Sequence, residues 1–192
     1  MREGYRKKAK EKAGYPVYWW ERNKEKGILK KVRFAILTIS DKGYRGERED
    51  ISANVIKTRI EKLGYELIDY KIVPDDKVMI KDTLIDYCDI KKVDLIFTTG
   101  GTGFSPRDLT PEATKEITEK DVPGISEIIR LEGYKITPHS VLSRGYSGIR
   151  GDTLIINLPG SPKAVEESLE VIIPILDHGI EVLRGEAYEC AT

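Results

Sequence analysis

The chain has 192 residues, 33% of them charged, and a formal net charge of zero, a length that suits one α/β domain and leaves little room for a second. Its two cysteines, Cys88 and Cys190, form no C-x-x-C pair, and no apolar run approaches the roughly 18 residues of a membrane span, so we expect a cytoplasmic protein without disulfides, zinc or membrane helices. Glutamine is absent and charged residues are enriched, which is typical of heat-adapted proteins.

Residues 1–30 form a basic N-terminal arm with an aromatic cluster at Tyr15, Val17, Tyr18, Trp19 and Trp20. Residues 1–33 hold twelve Lys/Arg against four acids, a net +8, and the remainder holds twenty against twenty-eight, a net −8. An acidic body argues against nucleic-acid binding, whereas the arm suits an acidic partner, a neighbouring subunit or merely a solvated tail. We expect the aromatic cluster to pack on the body or on another protomer, because free exposure of so much apolar surface is unfavourable.

Residues 31–185 have the pattern of one α/β domain, and residues 186–192 form a short C-terminal tail. The nearly continuous apolar run Val32–Ile39 predicts a parallel strand buried on both faces. The elements that follow are a helix over 51–63, a strand over 66–73, a helix over 78–87 and a strand over 93–98. This alternation predicts right-handed crossovers and a doubly wound sheet.

Proline and glycine punctuate the second half of the domain. Thr110, followed by proline, predicts a helix with Thr110 as its N-cap. Strands over 144–150 and 153–158, separated by Gly-Asp, predict a hairpin or a pair of strands. The closing helix is predicted to begin after an N-cap at Ser161, and Pro174 is expected to kink or interrupt it.

Polar and glycine-rich loops follow the strands, where parallel sheets bind ligands. These loops are Ser40–Asp41, Pro74–Asp76, Thr99–Gly103 and Asn157–Pro162. Glycines between a strand and a helix let backbone N–H groups approach an anion, so Gly100–Gly103 is either a phosphate-binding loop or only a tight turn. It lacks the Gly-Lys-Ser/Thr of a P-loop and does not complete G-x-G-x-x-G, which argues against both of those nucleotide motifs.

Asp75 and Asp108 are the acids that we single out as Mg²⁺ ligands, because Mg²⁺ binds carboxylates together with water and phosphates. Helix capping is the alternative for Asp75, with nearly equal weight, and it suits Asp108 less well. Asp41 and Asp50 are weaker candidates in turn-rich loops. Arg144 is the best-placed partner for a phosphate. No Ser/His/Asp or Cys/His order stands out, which disfavours hydrolytic and thiol chemistry.

Several ordered motifs are shared with a known family. They are Thr98–Gly103, Arg107–Ala113, Leu142–Arg144 and Asn157–Pro162, with further matches at Ser40–Asp41, Pro74–Asp75 and Pro123–Gly124. Together they resemble the molybdopterin-binding family that includes MogA, MoaB and the G domain of gephyrin. The resemblance covers residues 32–183 and implies a three-layer α/β fold, a mostly parallel doubly wound sheet with an antiparallel edge strand. One departure is Ala53, where the family commonly has glycine, and we expect its methyl group to narrow the loop near Asp50 without abolishing binding.

The resemblance also implies a reaction in molybdenum cofactor biosynthesis, in which adenylate passes from ATP to the molybdopterin phosphate with Mg²⁺ and pyrophosphate leaves. It assigns catalysis and metal binding to Asp75 and Asp108. It assigns substrate binding to Ser40, Asp41, Thr99, Gly100, Gly101, Thr102, Gly103, Ser143, Arg144, Pro159, Gly160, Ser161 and Pro162. It further implies a homotrimer or hexamer that interacts with the molybdenum-insertion enzyme. A non-catalytic, MoaB-like binding module or a scaffold remains the alternative.

Overall fold

A computed structural model describes residues 31–186 of the chain. The basic arm with its aromatic cluster, and all of the tail except its first residue, lie outside the described residues. Six strands of the described part form one sheet. They are β1 (Arg33–Ile39), β2 (Glu66–Val73), β3 (Leu95–Thr99), β4 (Lys120–Asp121), β5 (Ser147–Arg150) and β6 (Thr153–Leu158).

Helices connect the strands and cover both faces of the sheet. They are α1 (Asp41–Tyr44), α2 (Ile51–Glu61), α3 (Lys77–Ile85), α4 (Thr110–Ile117), α5 (Pro123–Tyr134) and α6 (Pro162–Leu183). A π-helical turn, Asp86–Ile90, extends α3, and a 3₁₀ turn, Pro138–Leu142, follows α5. No helix among the described residues is long and apolar enough to cross a membrane.

The strand order is β2-β1-β3-β6-β5-β4, and the first four strands in this order are parallel. Strand β5 runs antiparallel to β6, and the two-residue β4 pairs antiparallel with β5 at the edge. The mostly parallel sheet with an antiparallel edge, and the predicted hairpin, are therefore confirmed. Since β1, β2, β3 and β6 are parallel, their carboxyl ends and the loops that follow them lie along one edge.

Apolar residues of β1 alternate between two cores, one on each face of the sheet. Phe34 and Ile36 pack with apolar residues of α2, α5 and α6. Ala35 and Leu37 pack on the other face with residues of α3 and α4. All four are at most 1% exposed, as expected for a strand covered by helices on both sides. This arrangement confirms the three-layer fold and holds the carboxyl edge of the sheet in place.

Two details of the helices differ from the sequence predictions. Helix α4 already includes Thr110, and Leu109 is its N-cap, so the prediction that Thr110 caps this helix is wrong. The Thr110 hydroxyl instead donates to the Gly100 carbonyl, 2.9 Å away. Pro174 lies inside α6 but does not interrupt it. Ser161 caps α6 as predicted, with its hydroxyl accepting from the Ala164 N–H.

Candidate functional site

A cleft of about 320 Å³ opens at the carboxyl edge of the sheet. Six residues predicted from the sequence line it: Ser40, Thr99, Gly100, Gly160, Ser161 and Pro162. The other lining residues are not assigned to substrate binding and come from the end of β1, from α1, from the loop before α2 and from the first turn of α2: Thr38, Ile39, Gly43, Arg48, Glu49, Asp50, Ile51 and Ser52. The cleft therefore combines the predicted loops with a wall that the sequence analysis largely missed.

The turn after β3 requires glycine because it passes very close to the end of β1. Gly100 has a φ of +95°, and a Cβ atom there would lie 2.3 Å from the Ile39 carbonyl oxygen. Gly101 has a φ of +62°, and a Cβ atom there would lie 2.4 Å from the Thr110 hydroxyl. Both positions favour glycine by conformation as well as by space. The turn can therefore bring its backbone close to a ligand at the cleft.

Hydrogen bonds fix the part of the cleft wall that precedes α6 and lies against the glycine turn. The Thr99 hydroxyl donates to the Pro159 carbonyl at 2.7 Å, and the Ser52 hydroxyl donates to the Gly160 carbonyl at 2.9 Å. The cap at Ser161 then begins the 22-residue helix α6. The N-terminus of a long helix favours negative charge, so this wall is suited to a phosphate.

Beside the cleft, two aspartates are joined in a reciprocal pair. The Asp75 N–H donates to the Asp41 carboxylate at 3.2 Å, and the Asp41 N–H donates to the Asp75 carboxylate at 3.3 Å. The Arg107 guanidinium lies 2.6 Å from the other oxygen of Asp41. Burial raises the pKa of Asp75, and repulsion from the Asp41 and Asp108 carboxylates raises that pKa further. We call Asp41, Asp75 and Asp108 the acidic cluster.

Capping does not explain the acids singled out from the sequence. The N-cap of α3 is Asp76, whose carboxylate accepts from the Met79 N–H at 2.9 Å, so Asp75 is not needed for that role. The Asp108 carboxylate accepts from the Ser105 N–H at 3.0 Å within its own loop and does not cap α4. Asp50, by contrast, is the N-cap of α2.

Arg144 is engaged within the loop that follows the glycine turn. Its Nε donates to the Gly103 carbonyl at 2.7 Å, its Nη2 donates to the Asp108 carbonyl at 2.6 Å, and its Nη1 pairs with Glu112. Its backbone N–H donates to the Thr102 carbonyl at 2.8 Å. These contacts make Arg144 a brace that fixes the backbone beside Asp108.

Ser143 and Arg144 do not line the same cleft as the predicted serines and glycines. Together with Glu112, Lys115 and Arg130 they line a second depression of about 340 Å³. The structure thus places most of the predicted residues in the cleft, the acidic cluster or this second depression. Gly101, Thr102, Gly103 and Pro159 lie in the connecting loops and line neither the cleft nor the depression.

The residues present fit Mg²⁺ bound jointly with a substrate. Among residues 31–186 no three His, Cys, Asp or Glu side chains form a ready-made metal site. Mg²⁺ is commonly held by only one or two carboxylates, with phosphate and water completing its shell. Asp75 and Asp108 supply such carboxylates, and the pKa of Asp75 is raised mainly by burial and further by the neighbouring carboxylates, whose charge a cation would offset.

The effect expected of Ala53 is not observed. Its side chain is 4% exposed and packs in the core between α2 and the sheet, and it does not line the cleft. The residue follows the N-cap of α2, and its N–H donates to Asp50. The expectation that its methyl group narrows the loop is therefore wrong, because the methyl group points into the core.

The part of the chain that matches a known family lies within the α/β domain. Residues 35–178 match the family described as "Probable molybdopterin binding domain". The chain belongs to this family. The match covers β2 to β6, all of β1 except its first two residues, and the loops along the carboxyl edge of the sheet.

Relatives in this family include both short enzymes and much longer proteins. The chain is 38% identical to the molybdopterin adenylyltransferase of Helicobacter pylori strain J99, over 82% of this chain and 90% of that protein. It is 42% identical to the molybdenum cofactor synthesis protein cinnamon of Drosophila melanogaster, over 82% of this chain but only 26% of cinnamon's length. The crystal structure of the molybdopterin biosynthesis enzyme MoaB from Thermus thermophilus is 47% identical, with a TM-score of 0.77, covering 82% of this chain and 99% of that one.

Proposed function

We propose that this protein is a molybdopterin adenylyltransferase, which uses ATP and Mg²⁺ to adenylate the phosphate of molybdopterin. An oxygen of the molybdopterin phosphate forms a bond to the α-phosphorus of ATP, the bond from that phosphorus to the bridging oxygen breaks, and pyrophosphate leaves. The adenylated product would then pass to the molybdenum-insertion enzyme. We place the reaction in the cytoplasm, in keeping with the free, buried thiol of Cys88.

The observation that carries this proposal is the meeting of three features at one edge of the sheet. The glycine turn at Gly100–Gly101 presents backbone close to the cleft, the N-terminus of α6 favours phosphate, and the acidic cluster lies in the loops that follow β1, β2 and β3. Phosphoryl transfer depends mainly on positioning and on charge stabilisation, so it requires no protein nucleophile. The identity to the H. pylori enzyme over 90% of its length supports the same assignment.

Asp75 and Asp108 would hold the metal, which supplies neutralisation of the phosphate charge when bound. The role of Asp41 is to orient Asp75 through the reciprocal hydrogen bonds. Arg144 holds the Gly103 and Asp108 carbonyls, so it fixes the position of the second carboxylate. Each of these contacts reduces the reorganisation needed when the substrates arrive.

A single-turnover assay with ATP, Mg²⁺ and molybdopterin tests the proposal. We expect pyrophosphate release only when molybdopterin is present, with ATP bound in the micromolar to millimolar range. Equal release without molybdopterin would identify a simple ATPase. Molybdopterin binding without any pyrophosphate release would identify the non-catalytic binding module instead.

We also propose that the protein forms a homotrimer or a hexamer of two trimers. Five exposed apolar side chains lie around the C-terminal end of α5: Leu131, Tyr134, Ile136, Val141 and Leu142. An apolar patch of this kind is typical of a protein interface. We expect light scattering to show an oligomer that Leu131→Asp weakens. A monomeric full-length protein would contradict the proposal.

A further inference from the structure

Among the described residues that line the cleft, Arg48 is the only cation. It is exposed and makes no hydrogen bond or ion pair within residues 31–186. The other arginines of this edge are engaged: Arg45 pairs with Glu47 at 2.7 Å, Arg107 pairs with the acidic cluster, and Arg144 braces its own loop. Arg48 is therefore the guanidinium of this edge that is available to a ligand.

Thr38 supplies a second unused group in the same cleft. The residue is only 7% exposed, and its hydroxyl has no hydrogen-bond partner in the described part of the chain. The Tyr70 hydroxyl is the neighbouring polar group, but it donates to Asp50 at 2.7 Å and makes no hydrogen bond of normal geometry with the Thr38 hydroxyl. A buried hydroxyl without a partner destabilises the fold, so its presence at the wall of a cleft indicates a group that a ligand satisfies.

We propose that Arg48 binds a phosphate of a substrate at the cleft and that the Thr38 hydroxyl hydrogen-bonds to the same substrate. This inference rests on the proposed function, in which ATP and molybdopterin both carry phosphate. The N-terminus of α6 borders the cleft and favours the same anion. A guanidinium provides the forked donors that match phosphate oxygens. Arg48 and Thr38 are thus specificity-determining residues of the adenylyl transfer.

Two carboxylates also line the cleft, and they act in different ways. Asp50 already accepts from Tyr70 and from the Ala53 N–H, so its charge is partly compensated. Glu49 is exposed and opposes an anion. Replacing Glu49 should therefore lower the KM that replacing Arg48 raises. The two variants together test whether the charge at the cleft acts on an anion.

The first test compares Arg48→Gln with Arg45→Gln, a control three residues away whose arginine does not line the cleft. We expect Arg48→Gln to raise the KM of one substrate about tenfold or more, because a charge-assisted hydrogen bond is lost. The kcat should stay within about twofold, Arg48→Lys should recover part of the affinity, and Glu49→Gln should lower the same KM. The substrate whose KM changes, ATP or molybdopterin, is the one whose phosphate Arg48 binds.

The failure of this inference is distinguishable from failure of the proposed function. An active wild-type protein whose two KM values are unaltered by Arg48→Gln overturns the role of Arg48 and leaves the function standing. If the wild type shows no transfer, calorimetric titrations with ATP and with molybdopterin replace the KM values. Weaker binding by Arg48→Gln than by Arg45→Gln then supports Arg48, and equal binding overturns it.

The second test compares Thr38→Val with Thr98→Val. The Thr98 hydroxyl accepts from Asn157 at 2.9 Å in the core, so Thr98→Val should lower the melting temperature. Thr38→Val removes a hydroxyl without a partner and should leave the melting temperature unchanged or raise it, while the KM of the substrate rises roughly threefold or more. A substrate KM equal to that of the wild type overturns the Thr38 assignment, whatever the melting temperature.

Discussion

Two neighbouring parts of the carboxyl edge of the sheet differ in whether their polar groups are paired within the fold. In the wall before α6, Thr99, Ser52 and Ser161 each hydrogen-bond to nearby backbone. In the acidic cluster, Asp75 is placed near two further carboxylates, and its pKa is raised by burial and by their charge. The side-chain hydroxyls of the wall are satisfied within the fold, whereas the cluster carries unfavourable electrostatics.

This difference indicates which residues act as scaffold and which act on substrate. Groups that are satisfied within the fold gain stability from their contacts, and removing them should chiefly change the free energy of unfolding. Groups that repel one another are retained at a cost in stability, which is common where a ligand supplies the missing charge. The variants below test this division, beginning with the largest expected effect.

Replacing Asp75 or Asp108 with asparagine should reduce turnover by roughly 10²-fold or more, because the carboxylates that hold Mg²⁺ are lost. Asp75→Asn should also leave the protein equally or more stable at neutral pH, since the burial of a charge and its repulsion from neighbouring carboxylates are both removed. Single-turnover rates and melting temperatures measure both effects. Normal turnover in both variants would leave the acidic cluster without a catalytic role.

The pH dependence of stability follows from the same shift. The pKa of Asp75 is higher in the folded protein than its ordinary value, so the folded state binds this proton more tightly than the unfolded state. The wild type should therefore lose stability relative to Asp75→Asn as the pH rises from the ordinary aspartate range through the raised pKa. If the melting temperatures of the two proteins change equally with pH across that range, the raised pKa of Asp75 is contradicted.

Gly100→Ala should destabilise the fold by about 2 kcal/mol or more, because alanine is strained at a φ of +95° and its Cβ would lie 2.3 Å from the Ile39 carbonyl oxygen. Gly64→Ala is the matched control, since Gly64 has a φ of +86° but a Cβ atom there would meet nothing within 4 Å. Gly64→Ala should cost only about 1 kcal/mol. Denaturant unfolding of both variants separates conformational strain from the clash with β1.

Asp76→Ala should cost about 1 kcal/mol of stability, because the N-cap of α3 is lost. Turnover should stay near normal, since Asp76 belongs to neither the acidic cluster nor the lining of the cleft. Asp75 and Asp76 are adjacent in sequence, so the pair separates function from capping within one loop. A large loss of turnover in Asp76→Ala with unchanged melting would reverse that assignment.

Periodicity and turn residues were sufficient to predict most of the fold from the sequence. The strand over 66–73 and the cap at Ser161 were predicted correctly because each depends on a local pattern. Thr110 was mistaken for a cap because its hydroxyl bonds to Gly100, a contact that exists only once β3 and α4 are packed. Rules based on local sequence do not predict tertiary hydrogen bonds of that kind.

The candidate site was predictable only in part, for a similar reason. Glycines and acids after strands mark the carboxyl edge in the sequence, and the structure brings Gly100 and Asp75 to that edge. No sequence pattern distinguishes Arg48 as a binding residue, since it is one of many charged residues in a turn-rich stretch. Thr38 lies within an apolar strand, and nothing in the sequence shows that its hydroxyl lacks a partner.

The smallest expected effect concerns Ala53. Its methyl group is buried in the core and does not line the cleft, so Ala53→Gly should leave both KM values unchanged. Glycine within a helix costs about 0.5–1 kcal/mol relative to alanine, and loss of the buried methyl adds to that cost. Chemical denaturation and steady-state kinetics on the same preparation measure the two quantities. A lower KM in Ala53→Gly would show that the methyl group does restrict the loop at Asp50, and it would place α2 within the region that controls substrate binding.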